Sequence, residues 1–225
     1  MRTFAILPVK RFEEAKQRLR TALPPSARRA LARAMVHDVL DALDRVRRVD
    51  RIVVVTAEEP VRALAAARGD AVVDDPEEAG QSAAVSLGIA RAQRGRADRV
   101  LLVPGDCPAL WPQEVDGMLR RHEGAPGVVV VPDRHGTGTN GLLLAPPDAI
   151  APSFGEGSRR RHLREALESG ITPAVEPLVS LGLDVDTPDD LEALQLALER
   201  IPESFARHTR DALTDLRRTP AIGPR

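Results

Sequence analysis

Tyrosine is absent from this chain, and one tryptophan and four phenylalanines make up its aromatic content. Aliphatic side chains must therefore fill the core, and little is left on which unpaired bases could stack. Cys107 is the single cysteine. That excludes an intrachain disulfide framework and a cysteine-rich zinc site. No apolar run reaches the length of a membrane span. The N-terminus enters a strand directly, without the long apolar region of a signal peptide. An excess of either charge is missing too: 32 lysines and arginines face 33 aspartates and glutamates. There is no global basic field for nucleic acid. The expectation is a cytoplasmic protein that engages neither a membrane nor nucleic acid.

What is present suits one large α/β domain: 225 residues, 43% of them apolar. The chain is organised around Arg99 to Trp111, RVLLVPGDCPALW. Val100 to Val103 form a short continuous apolar run, as a strand buried on both faces of a parallel sheet requires. Pro104-Gly105 ends it. Asp106 then sits beyond the strand's carboxyl end, where open α/β sheets bind ligands. A carboxylate there can hold a metal ion against a nucleotide's phosphates. The plainer alternative is a turn or helix cap.

Upstream, Thr3 to Pro8 reads as the first strand. A basic, irregular segment follows, with Lys10, Arg11, Lys16, Arg18 and Arg20. It is a natural place for a triphosphate, the alternative being a solvated surface loop. No Walker A motif is present. Ser26 is placed to cap a helix bearing Leu31, Met35, Val39, Leu43 and Val46 on one face. His37 beside it lacks a second ligand at metal spacing and reads as structural. Arg51 to Thr56 is a second strand, and a helix runs through Val61, Leu64 and Ala65. Ala71 to Asp74 is a third strand, and Gly80-Gln81-Ser82 opens a helix with Val85, Leu87 and Ile89. This alternation predicts a mostly parallel sheet with helices on both faces.

Downstream, Pro112 starts a helix and Gly127 to Pro132 is a strand. Gly136, Gly138 and Gly141 match G-x-G-x-x-G, but that fingerprint must open a helix, and Leu142-Leu143-Leu144 reads as a strand. The segment is instead a Gly- and Thr-rich loop offering donors to a ligand. Gly155, Gly157 and Ser158 precede another helix, whose free N–H groups can bind an anion. Arg159, Arg160 and Arg161 stand in its first turn, where the helix dipole disfavours them. That conflict points to an anionic partner or to a surface basic cluster. A short strand is expected to carry Asp184 and Asp186 on one face. Thr187 then caps a helix with Pro188 in its first turn. Residues 202–225 read as an appended helix (Phe205, Ala212, Leu213, Leu216) and a flexible PAIGPR end.

Together these motifs carry a resemblance. The segments are PVK at 8–10, AKQRL at 15–19, PGDCPAL at 104–110, GTGTNGLLL at 136–144, FGEGSRRRHL at 154–163 and LDVDTPDDL at 183–191. The chain resembles the nucleotidyltransferases with a Rossmann-like, glycosyltransferase-A-like sheet. Within them it is similar to the 2-phospho-L-lactate or phosphoenolpyruvate guanylyltransferases of coenzyme F-420 biosynthesis. The resemblance covers about residues 3–200 and implies one three-layer α/β/α domain, over residues 1–201, with a mostly parallel mixed sheet; the helical extension and tail read over 202–225 have no counterpart in it.

It also implies site roles. Lys10 and Lys16 would hold the GTP phosphates and stabilise the transition state, with Pro8, Arg18, Gly80 and Ser82 also at the nucleotide. Asp106 would be the catalytic metal aspartate, and Asp186, or its neighbour Asp184, the second carboxylate on Mg2+. Asp186 is favoured because it stands two before Pro188. Thr139, Gly155 and Ser158 would hold the acceptor, phosphoenolpyruvate or 2-phospho-L-lactate. Independently of the resemblance, Cys107 has no second thiol and no His beside it in sequence, and reads as structural. A homodimer stays open. The family often has Gly-Leu-Asn where this chain has Gly80-Gln81-Ser82. The rival readings are a molybdenum-cofactor guanylyl- or cytidylyltransferase and a non-catalytic nucleotide-binding subunit.

Overall fold

In the computed structural model, which describes residues 1–13, 16–124 and 127–218, the apolar runs pair into one seven-stranded sheet. Its strands are β1 (Thr3–Val9), β2 (Arg51–Thr56), β3 (Ala71–Val73), β4 (Arg99–Leu102), β5 (Gly127–Pro132), β6 (Thr139–Ala145) and β7 (Ala174–Val175). The order across the sheet is β3-β2-β1-β4-β6-β5-β7. β1 is parallel to β2 and β4, and β2 to β3. β6 runs antiparallel to both β4 and β5, and β7 is parallel to β5. Because β1 lies between β2 and β4, the winding reverses there. A crevice opens beyond the carboxyl ends of those strands.

The helices are α1 (Pro25–Leu43), α2 (Glu59–Arg68), α3 (Gln81–Arg94), α4 (Pro112–Arg121), α5 (Ser158–Glu168), α6 (Pro188–Leu198) and α7 (Arg207–Arg218). Successive strand residues face opposite ways. Ala5, Leu7, Val54, Leu101 and Leu143 pack with α1, α2 and α4. Phe4, Ile6, Val53, Leu102 and Leu142 pack with α3 and α5. Both faces are dry, which is why the strands read as unbroken apolar runs rather than alternating ones. One cation is taken into this interior. Arg99, 1% exposed, donates from Nε to Thr3 Oγ1 (2.7 Å) and from Nη1 to the Leu119 and His122 carbonyls, tying β4 to β1 and to the end of α4.

A third cluster joins segments far apart in sequence. Leu19, Leu31, Met35, Val185, Leu191, Leu194 and Leu213 are buried together. It fixes the segment after β1 against α1, α6, α7 and the loop before α6. α7 lies on α1, where Asp38 accepts the first-turn N–H groups of His208 (3.1 Å) and Thr209 (2.7 Å). A side chain from another helix thus satisfies donors that every helix start leaves orphaned. Among the described residues, no helix is long and apolar enough to cross a membrane.

Four local expectations change. Ser26 is not a cap: α1 starts one residue earlier at Pro25, whose fixed φ suits the first helical position. β6 begins at Thr139, not Leu142, because Thr139 and Gly141 already pair with β5 across a register irregularity. Asp184 and Asp186 lie in an irregular loop rather than a strand. Its backbone bonds go elsewhere: Val185 N–H to the Asp106 carbonyl (3.2 Å) and Asp186 N–H to Asp190 (3.1 Å). Phe205 precedes α7 instead of lying in it, and the PAIGPR end lies outside the described residues. β7, only two residues long, carried no sequence signal. Thr187 caps α6 as expected, in a reciprocal box with Asp190.

Gly88 shows how closely α3 approaches the sheet. A Cβ there would stand 2.4 Å from Ile6 Cγ2 and 3.1 Å from Val55 Cγ2. Gly88→Ala gains about 1 kcal/mol of helix propensity. Overpacking against two stiff, β-branched neighbours costs about 1–3 kcal/mol. We expect the clash to win and Tm to fall by a few degrees in thermal unfolding. A rise in Tm would show that α3 can move off the sheet.

Candidate active site

Asp106 leaves β4 through Pro104-Gly105, at the mouth of the crevice. Gly105 keeps the passage uncrowded there, since a Cβ would meet Val36 Cγ2 at a tight 3.1 Å. Lys16 reaches the same point from the segment after β1. It holds a left-handed backbone (φ 57°) and opens a one-turn 3-10 helix, Gln17–Leu19. Leu19, fully buried in the third cluster, anchors that turn. The Lys16 ammonium donates to Asp106 Oδ2 (2.5 Å) and Asp186 Oδ1 (2.9 Å). Its side chain is only 8% exposed. Burial by itself would lower the lysine pKa, but the two carboxylates reverse this and hold it above the ordinary lysine value.

Asp184 stands beside this pair. Asn140 Nδ2 donates to its Oδ1 at 2.9 Å. Burial, and then the charge of Asp106, push the Asp184 carboxyl up to about 6, against the opposing pull of the Asn140 bond. Two carboxylates therefore share one ammonium, and the third, Asp184, feels the charge of both. Asp106 Oδ1 is buried and has no hydrogen-bond partner among the described residues. A set of hard oxygen donors with an orphaned buried oxygen fits a divalent cation. A second grouping, Asp38, Asp41 and His208, brings ligand atoms within 4.8 Å of one another. There both Asp38 oxygens already hold the start of α7.

A cleft of about 300 Å³ opens at the pair. Of the residues expected from the sequence, Pro8, Lys10, Lys16, Gly80, Asp106 and Asp186 line it. Gln81, from the Gly80-Gln81-Ser82 segment, lines it as well, and so do Phe12, Asp75 and Glu78, which carried no sequence signal. Gly80 has φ +106° and delivers the N-terminus of α3 to the wall. Arg18, Ser82, Thr139, Gly155, Ser158 and Asp184 are not on that lining. Arg18 is exposed. Ser82 turns away and accepts the Phe154 N–H at 2.9 Å, so it holds the 153–158 turn.

Thr139, Gly155 and Ser158 belong to two segments that the fold joins. Arg159 N–H donates to the Thr137 carbonyl (3.3 Å), and Arg159 Nη1 to the Gly136 carbonyl (2.8 Å). Ser158 N–H bonds Gly155 O inside the turn. Arg161 spans the carbonyls of Ser153 and Phe154 from Nη2 at 3.1 and 3.0 Å. The expectation of free turn N–H groups and ligand-facing arginines is thereby corrected. Two of those N–H groups and two of the three arginines are spent bracing the loops. Two side chains were missed, Asn140 and His162. Both lie in motifs quoted above, GTGTN and SRRRH, but neither position announces its role without knowing what it faces.

Comparison with known proteins agrees with this architecture. A family model described as "Guanylyl transferase CofC like" matches residues 3–213. The chain is 50% identical over 221 residues to a phosphoenolpyruvate guanylyltransferase of Conexibacter woesei, covering 97% of this chain and 98% of that one. It is 36% identical over 219 residues to a 2-phospho-L-lactate guanylyltransferase of Methanothermobacter thermautotrophicus, covering 97% and 93%. Its fold is similar to that of a nucleotidyl transferase from the same archaeon, with a TM-score of 0.65 at 17% identity, covering 89% of this chain and 99% of the other.

Cys107 adjoins Asp106 but turns inward. It is fully buried and its Sγ–H donates to the Leu181 carbonyl at 3.2 Å. Burial, then the charges of Asp106 and Asp184, push the thiol well above its usual pKa. A thiol that stays protonated is a poor nucleophile. We expect the native protein at pH 8 to resist an aromatic disulfide reagent and to react fully once unfolded in guanidinium. Rapid labelling of the native state would show that the thiol is accessible and ionised.

Proposed function

The chain belongs to the CofC-like guanylyl transferase family, and from that premise we propose that it transfers GMP from GTP to a small phosphorylated three-carbon acid and releases pyrophosphate. We favour phosphoenolpyruvate over 2-phospho-L-lactate as acceptor, and coenzyme F-420 biosynthesis as the setting, in the cytoplasm. The observation that carries the reading is the convergence of Asp106 and Asp186 on the Lys16 ammonium at the mouth of the crevice.

An oxygen of the acceptor's phosphate attacks the α-phosphorus of GTP in line. The bond from that phosphorus to the bridging oxygen breaks, and pyrophosphate leaves with the electron pair. The nucleophile is already ionised at neutral pH, so the reaction needs no general base. Both reactants are anions, and the protein's task is to align them and offset their charge. Lys10 and Lys16 take the triphosphate, with Pro8 and Gly80 giving it a close backbone wall and exposed Arg18 extending the basic edge. Ser82, which the resemblance places at the nucleotide, holds the 153–158 turn on the acceptor side through the Phe154 N–H. Thr139, Gly155 and Ser158 take the acceptor. Asp106 and Asp186, with Asp184 beside them, would hold Mg2+. When bound, that ion supplies charge neutralisation at the α-phosphate and the acceptor.

Asp106→Asn keeps the side chain's shape and removes its charge. We expect turnover to drop by about a hundredfold or more in a folded variant, since the charge acts in the transition state. A matrix of four nucleoside triphosphates against phosphoenolpyruvate, 2-phospho-L-lactate and 3-phospho-D-glycerate, read by mass spectrometry, tests the whole reading. The expected product is the guanylylated phosphoenolpyruvate. No nucleotidyl product from any pair, or near-normal turnover of Asp106→Asn at saturating Mg2+, would defeat the proposal.

A further inference from the structure

His162 is wholly buried, on α5, between the two segments assigned to the acceptor. Its Nε2 lies 2.8 Å from the Ser153 backbone nitrogen. Its Nδ1 lies 3.0 Å from Thr139 Oγ1. The Phe154 ring packs edge-on against it, with centroids 5.2 Å apart. A backbone N–H can only donate, so Nε2 must be the unprotonated, accepting nitrogen. The ring's one proton is then on Nδ1, and Nδ1–H donates to the Thr139 hydroxyl oxygen. A charged, doubly protonated ring would set N–H against N–H at Ser153. Burial, with Arg161 beside it, agrees, pushing the imidazole pKa down to about 4.

This fixes the polarity of a second group. The Thr139 hydroxyl oxygen accepts from His162, so its own proton is left to donate elsewhere. Among the described residues, the hydroxyl has no hydrogen-bond partner other than His162. We propose that His162 is a positioning residue for acceptor binding: as the Nδ1–H tautomer it turns the Thr139 hydroxyl into a committed donor for the acceptor's anionic oxygens. The same ring pins Ser153, at the start of the turn that carries Gly155 and Ser158, so one side chain sets the spacing of both acceptor segments. An anion needs donors only, and a hydroxyl free to rotate must give up that freedom to donate to it. The buried, neutral imidazole removes that freedom before the ligand arrives. The proposal rests on the reading that Thr139 holds the acceptor.

Two measurements test it. Nitrogen-15 NMR of histidine-labelled wild-type protein at pH 7 should show His162 as the Nδ1–H tautomer, with and without phosphoenolpyruvate. Steady-state kinetics should then show that His162→Phe, which keeps a ring against Phe154, raises the acceptor KM about tenfold, as expected for loss of an oriented bond to a charged group. GTP KM should stay within about twofold of wild type. Thr139→Val alone should raise the acceptor KM as well, and adding His162→Phe to it should cost clearly less than His162→Phe costs in the wild type, because only the Ser153 bond is then left to lose.

An Nε2–H tautomer overturns the positioning role without any variant having to fold. So does a His162→Phe effect that persists in full in the Thr139→Val background, or that falls equally on GTP. Thr139→Val with an unchanged acceptor KM overturns the acceptor-site reading itself, and the role of His162 with it.

Discussion

Carboxylates placed side by side at the edge of a dry core repel one another, and the site depends on the cation that offsets this. Asp106 and Asp186 are 80 positions apart in sequence yet share one ammonium. Lys16 can reach them because its backbone takes a left-handed turn and Leu19 behind it is locked into the third cluster. Val185, buried in the same cluster, sets Asp184 and Asp186 on either side of itself and bonds the Asp106 carbonyl. The small apolar cluster thus holds the charged one together. On the proposed reading, a nucleotide with its metal ion would compete for carboxylates that Lys16 already partly neutralises.

The side proposed for the acceptor is built on a different principle. It contains little formal charge free to move, because Arg159 and Arg161 are committed to backbone carbonyls. Those bonds join the glycine-rich loop before β6 to the start of α5, so that two segments behave as one wall. Ser82 extends the tie to α3, whose N-terminus borders the cleft. Loops on their own are mobile, and binding groups on them are precise only where a rigid frame over-determines them. Here the frame is made of side chain to backbone hydrogen bonds, which cost no area of the apolar core.

The division of labour follows the sheet. Its parallel half, β1 to β4, supplies the crevice, the lysines and Asp106. The antiparallel insertion of β6 between β4 and β5 brings Thr139 and Asn140 to the same side. Asn140 then bridges the halves, donating to Asp184 and to the Leu181 carbonyl. A purely parallel sheet would have left that end of the crevice open.

The sequence by itself marked every described strand but β7, while also reading a strand into the Asp184–Asp186 loop, and it marked most helix starts, because these rest on local apolar runs, prolines and caps. Arg51–Thr56 and Gly127–Pro132 match their expected bounds, and Thr187 caps as its spacing implied. It also placed Asp106 beyond a strand end and marked Lys10 and Lys16 as cations near it. Only the tertiary structure decided which charges meet. The loop of Asp184 and Asp186 has no period to read, since its backbone bonds go to Asp106 and Asp190 rather than to a neighbouring strand. Arg159 and Arg161 looked like ligand groups because the carbonyls they satisfy are supplied by turns, one of them a separate loop before β6. His162 looked like one more polar residue on a helix. Its role comes from what stands on each side of the ring, and a hydrogen bond's direction is set by both partners, never by one.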